Sequence, residues 1–278
     1  MQSKQSLSNH RPHRGILLAA LFLSATGVSI QLGFVGLGRA VQGVNKMSLS
    51  AQGPRPIATA VEILEARCGC VITYEDPRYV HISEIADVTG QVRRDLNKFR
   101  PGEAPKVFVP KGGAVSIEYE DLPTTKQPDG MAAIIGQLLE AHSAKGNAGR
   151  FRVELSGQIN HVIPTAIKNE AGDLAPQESV LDTMITLPAG ERSGMQTLET
   201  ICAAISQANQ TQVVVGTVPL NLFIQHRDRR GAASQRARDI LVNLLEATKT
   251  GANLSWQLLY DPGQKMYALN IHQVPAKN

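Results

Sequence analysis

The sequence predicts an α+β protein: an N-terminal hydrophobic segment followed by two similar modules, each laying helices on an antiparallel sheet. Three observations carry this. Apolar stripes at helical spacing alternate along the chain with short runs rich in Val, Ile and Tyr. The order helix, strand, long excursion, helix, glycine break, hairpin, proline occurs twice. And 278 residues, 42% of them hydrophobic and 19% charged, exclude a disordered or collagen-like polymer while leaving enough chain to bury a sizeable core.

The elements follow in order. Residues 41–56 are small, polar and Pro/Gly-containing and read as a spacer. A helix over about 56–68 puts Ile57, Val61, Leu64 and Cys68 on one face, and Gly69 ends it. Cys70 to Tyr74 reads as a strand closed by Asp76-Pro77, and 78–105 as a long loop. Lys106 to Pro110 and Ala114 to Glu120, flanking Lys111-Gly112-Gly113, suggest a hairpin. A helix over 129–143 stacks Met131, Ile134, Ile135, Leu138, Leu139 and His142. Strands at Phe151–Leu155 and 160–163 close the first module, set at 57–165.

The second module, set at 180–275, opens with a strand over 181–187 and a helix over 194–208 carrying Met195, Leu198, Ile201, Cys202 and Ile205. A short strand, Val213 to Val215, precedes a loop over 220–232. A helix over 233–248 and a final hairpin, 254–260 with 266–274 across Asp261-Pro262-Gly263-Gln264, complete it. Leu138-Leu139-Glu140-Ala141 recurs as Leu244-Leu245-Glu246-Ala247, and His161-Val162-Ile163-Pro164 as His272-Gln273-Val274-Pro275. The repeated order argues for an internal duplication, which would place His161 and His272 at equivalent strand ends.

The net charge of +4 does not signal nucleic acid. Lys4, Arg11, Arg14, Arg39 and Lys46 lie in the first 50 residues, where no acid occurs; the remaining 23 bases face 24 acids. With few aromatic residues besides, neither a phosphate footprint nor a base-stacking platform is present, and we expect no nucleic-acid partner. The basic residues 4–14 instead precede an uncharged run at 15–38, the pattern of export. Residues 1–40 are then either a cleaved signal peptide or an anchor, since 24 helical residues span about 36 Å. The expected location is the periplasmic face of an inner membrane, or the periplasm or exterior if the leader is removed. Gly33, Gly36 and Gly38 lack the strand and downstream acid of a nucleotide loop.

The stretch from Ala60 to Tyr74, AVEILEARCGCVITY, resembles the short N-terminal domain of secretins and TonB-dependent receptors, and the helix, glycine and hairpin of Ile240 to Val274 are similar to the second half of that domain. The resemblance covers about 100 residues in pieces and rests on hydrophobic pattern. It departs in the longer loops at 78–105 and 220–232, and no pore or barrel sequence follows. It implies an envelope binding or docking module and transfers no functional residue.

No nucleophile elbow, H-E-x-x-H helix, P-loop or paired C-x-x-C is present. His81, His142, His161, His226 and His272 stand apart in sequence, so no metal ligand set is expected, and no cofactor. His142, near a helix C-terminus, suits the negative end of the dipole. Glu118 and Glu120 share a strand face without a calcium-loop pattern. Cys68, Cys70 and Cys202 are the candidate disulfide or thiol residues, an odd set in which Cys68 and Cys202 lie on apolar stripes. The one concentrated charge feature is Arg227, Arg229, Arg230, Arg236 and Arg238, a candidate surface for an anionic headgroup, a polymer or an acidic protein. The expectation is a non-catalytic binding or docking protein of the envelope, whose partner is another envelope protein or a polymer. An enzyme with a site assembled from distant residues, and a structural spacer, are the alternatives.

Overall fold

A computed structural model describes residues 46–100, 102–121 and 127–276. The expected leader, including the apolar run at 15–38, lies outside them. Among the described residues no helix is long and apolar enough to cross a membrane.

The chain enters as a strand, β1 (Lys46–Gly53), where the sequence suggests a spacer. Its small alternating residues conceal a period of two: Leu49 and Ala51 point inward and Ser48, Ser50 and Gln52 outward. Helix α1 (Pro56–Cys68) starts on a proline and stops at Gly69, whose left-handed φ of 68° lets its N–H reach the Glu65 carbonyl. Strand β2 (Ile72–Glu75) follows. The expected loop holds β3 (Ile85–Asp87) and the single turn α2 (Thr89–Val92), and the strand expected over 106–110 forms as β4 (Phe108–Pro110).

The hairpin expected across Lys111-Gly112-Gly113 does not form. Strand β4 pairs with β3, whereas β5 (Gly113–Glu120) pairs antiparallel with β1 over its whole length, from Gly113 opposite Gly53 to Glu120 opposite Lys46. Beside β1, Val115 is buried in one core with Leu49 and Ala51. The crossing is tight: at Gly112, φ +80°, a Cβ would stand 2.3 Å from the Gly53 carbonyl oxygen.

Helix α3 (Pro128–Ala144) leads into the hairpin β6 (Arg150–Ser156) and β7 (Ile159–Lys168), with β8 (Leu174–Pro176) added to the end of β7. Then come β9 (Met184–Leu187), β10 (Arg192–Ser193) and α4 (Gly194–Asn209), the last with a capping box between Ser193 and Gln196. Strand β11 (Val213–Val215), α5 (Leu220–Gln225), β12 (Arg227–Asp228) and β13 (Ala232–Arg236) follow. Helix α6 (Ala237–Thr248) begins four residues later than its apolar stripe suggests. Residues 232–236 pair with β9 instead, across an irregularity where Ser234 takes a φ of 47°. The hairpin β14 (Leu254–Asp261) and β15 (Met266–Gln273) closes the chain.

One seven-stranded sheet runs β11-β15-β14-β2-β7-β6, with β8 attached to β7. It is mixed, not antiparallel: β11/β15, β14/β2 and β2/β7 are parallel pairs. Strands β2 and β11 each follow a helix and run parallel to the second strand of a later hairpin, β7 and β15, and β2 also lies parallel to β14. Helices α1 and α3 cover one face, packing on Ile72, Tyr74 and Val162; α4 and α6 cover the other, on Trp256, Leu258, Leu269 and Ile271. The junction β14/β2 therefore lies between two cores on opposite sides of one sheet.

Candidate functional site

That junction is lined by charge on both faces. On the α6 side, Arg238 is fully buried. Its guanidinium donates to Glu75 on β2 and to Asp182 at 2.9 and 3.2 Å, and the Ser179 hydroxyl donates to the other Glu75 oxygen. Burial holds the Glu75 carboxyl above its ordinary pKa, against the opposing pull of Arg238 and Ser179. Around this pair, Arg236 bonds Asp239 at 3.0 Å and reaches Glu154 at 3.3 Å, and Arg152 meets Glu154 at 2.7 Å. The candidate arginine surface is thus divided. Arg238 is buried against Glu75, and Arg236, still part-exposed, is matched to Asp239 and Glu154 at the start of α6. Arg227, Arg229 and Arg230 remain on the exposed loop, where Arg229 pairs with Glu191 at 2.8 Å.

His161 stands beside this network. Its Nδ1 lies 2.7 Å from the Thr73 hydroxyl, its ring 5.4 Å from that of Trp256, and its Nε2 and the Trp256 Nε1 are buried without a hydrogen-bond partner. Burial, reinforced by the charges of Arg238 and Arg236, pushes the imidazole down to about 3, so it is neutral at physiological pH.

On the α1 side, Arg55 donates to Asp76 at 2.6 Å and to the Tyr260 carbonyl at 2.7 Å, while Asp76 also accepts from the Tyr74 hydroxyl and the Tyr260 N–H. Glu65 accepts the Ile72 N–H at 3.0 Å and faces His272 Nε2 at 2.7 Å. Burial lowers the His272 pKa, but the bond to Glu65 and the charges of Glu65 and Glu62 outweigh it and the net shift is upward. Cys68 and Cys70 form a disulfide around Gly69 at the end of α1. Cys202 is a buried free thiol, pushed up to about 12 chiefly by burial.

A solvent-open groove of about 480 Å³ opens beside the sheet, near the β7–β8 bend. Val80, Ile167 and Pro176 supply apolar walls, and the Tyr267 ring is its buried floor. The Arg78 guanidinium stands in it. It touches the Thr211 hydroxyl only at 3.4 Å, and among the described residues no carboxylate lies within 4.0 Å of it. Gln177 is fixed beside it, accepting the Arg78 N–H at 2.9 Å and directing its amide toward the Tyr267 hydroxyl at 3.4 Å. The sequence sets Arg78 at the start of a long loop and Asp76-Pro77 as the close of a strand, with no sign of either role. Two carboxylates ending an apolar strand were the available signal that buried cations lie opposite.

The remaining candidates have local roles. His142 Nε2 lies 2.9 Å from the Ala148 carbonyl just past α3, and burial lowers its pKa. Glu118 and Glu120 are exposed on β5, Glu120 across from Lys46. Among the described residues no group of three or more His, Cys, Asp or Glu side chains is placed to hold a metal ion. Comparison with protein-family models, curated proteins and solved structures finds no match to this chain.

Proposed function

We propose that this chain is a non-catalytic docking protein of the cell envelope, anchored or exported through residues 15–38, and that the Arg78 groove receives a carboxylate of its partner. The observation that carries the groove is the Arg78 guanidinium among its lining groups. Every other arginine at the junction is matched to an acid, whereas Arg78 is left with a long contact to one hydroxyl. The exposed cation suits a carboxylate, while Glu170 and Glu178, which also line the groove, would repel a partner segment carrying further negative charge.

The docking reading draws on the resemblance to the secretin and TonB-receptor module, and on a repeat in the topology. The pair β1/β5 with α1, β2, α3 and the hairpin β6–β7 is matched by β9/β13 with α4, β11, α6 and β14–β15. Gly69 and Gln210, both left-handed helix caps, stand 141 positions apart, as do Ile72 and Val213 and the residues that accept their N–H groups, Glu65 and Ser206. The same register separates the two histidines. Asn160 lies opposite Ile72 and Tyr267 opposite Val213, so Ala268, not His272, is the counterpart of His161.

The test is binding of fluorescent peptides identical except for a free or amidated C-terminus. We expect the acid to bind more tightly, and Arg78→Gln to weaken the acid by roughly 10- to 100-fold, as for a hydrogen bond to a charged group. Equal binding of acid and amide, or an acid affinity untouched by Arg78→Gln, would sink the assignment. A reporter joined after Asn278 should be active outside the cytoplasm only.

A further inference from the structure

We propose that β6 is a self-complementary edge on which a second copy of this chain pairs antiparallel about Val153, joining the two sheets into one. The inference is independent of the Arg78 groove.

Strand β6 is seven residues long, ends the sheet order, contains no proline, and pairs with no described strand on its outer side. Its outward groups follow from the hairpin. The loop Gly157-Gln158 closes on the pair Ser156 and Ile159, and hydrogen-bonded and non-bonded pairs alternate from there. Asn160, opposite Leu155, donates its N–H to Val71 on the far side of β7, which places Leu155 in a non-bonded pair. Leu155, Val153 and Phe151 therefore present their N–H and C=O groups to the free edge. Leu155 is 39% exposed there.

Antiparallel pairing about Val153 satisfies three demands at once. Val153 meets the partner's Val153, and Phe151 meets the partner's Leu155. All of these residues have outward backbone groups, so they form bonded pairs carrying about six hydrogen bonds. Arg152 comes opposite the partner's Glu154, and Glu154 opposite the partner's Arg152, in non-bonded pairs where side chains approach most closely. Neither charge is exhausted within one chain, since the Arg152 and Glu154 side chains keep 44% and 30% of their surface exposed. A shift of two residues along the edge would set Arg152 opposite the partner's Arg152, or Glu154 opposite the partner's Glu154. A two-fold axis through Val153 makes the contact isologous and closed, so a dimer results, not a fibre. Natural sheets blunt long edges with prolines, bulges or inward charges; here the strand's charges complement themselves.

The test uses the full chain in detergent with Val153→Cys. Residues paired by hydrogen bonds across antiparallel strands have Cα atoms about 5.5 Å apart, within disulfide reach. Mild oxidation should link Val153→Cys into a dimer, while Gln158→Cys, equally near the edge but far from the axis, should stay unlinked. Adding Leu155→Lys to Val153→Cys should cut the link about tenfold or more. Trp256 fluorescence confirms that each variant is folded, and Val153→Ser in place of Val153→Cys sets the background from Cys68, Cys70 and Cys202. A Val153→Cys chain that stays monomeric, equal linking of Gln158→Cys, or a link indifferent to Leu155→Lys would overturn the proposal.

Discussion

Removing Arg238 should cost this protein more than any exposed arginine, and the structure says how much. The side chain is fully buried, and so is Glu75. Arg238→Met would leave the Glu75 carboxylate with the Ser179 hydroxyl as a donor and Asp182 as a like-charged neighbour. Breaking a buried pair by deleting one partner costs about 3–5 kcal/mol, because the surviving charge cannot be hydrated. With a urea slope of about 2 kcal/mol per M, the unfolding midpoint should fall by about 1.5–2.5 M. The assay is built in: the single Trp, Trp256, is buried against His161 at the junction, so its fluorescence follows opening of this seam. The double variant Arg238→Met/Glu75→Leu removes both charges and fills their volume. It should recover about 2–4 kcal/mol relative to the sum of the single losses. If the two losses instead add to within about 0.5 kcal/mol, the pair is not coupled and the argument for a charged lock at the junction fails.

Three further predictions rest on separate features. His161 is neutral in the folded chain, with its pKa depressed from 6.5 to about 3. Its contribution is complete above 6.5 and falls by roughly 1.4 kcal/mol per pH unit below it, as only the unfolded state takes up a proton. His272 has the opposite sign, its stabilisation present below 6.5 and lost as pH rises through its elevated folded value. Urea midpoints between about pH 4 and pH 8 should therefore lose their acid slope in His161→Gln and their slope near neutrality in His272→Gln; unchanged profiles would contradict both assignments. Maleimide should label no cysteine in the native oxidised chain, the Cys68 and Cys70 thiols after reduction, and Cys202 only on unfolding; labelling of Cys202 in the folded chain would show that its burial is wrong. Gly112→Ala should cost at least about 1–3 kcal/mol, from its left-handed backbone and the clash with Gly53, and a neutral result would mean that β1 and β5 do not cross there.

How much of this was legible beforehand depended on the distance over which each feature is decided. The α1 and α4 boundaries could be read directly, since Pro56, Gly69 and the Ser193/Gln196 box act within one turn. The hairpins β6–β7 and β14–β15 were visible for the same reason. Strand β1 was not, because two apolar residues among serines carry too weak an alternation until β5 is set beside them. The late start of α6 was likewise hidden: Ala232–Arg236 is compatible with helix, and pairing with β9 decides otherwise.

The candidate site divides along the same line. A run of arginines at 227–238 is plain in the sequence, yet its residues went to opposite fates, Arg229 exposed beside Glu191 and Arg238 buried against Glu75. Alone, the sequence determined much of the local grammar of this protein: where α1 and α4 start and stop, and which helix faces are apolar. Only the tertiary structure decided that β2 and β11 lie in one sheet, that Glu75 meets a cation 163 positions away, and that Arg78 meets no acid among the described residues. Local elements depend on backbone dihedrals and side-chain periodicity within a few residues, whereas the partner of a charge is fixed by strand order, which no short window of sequence contains.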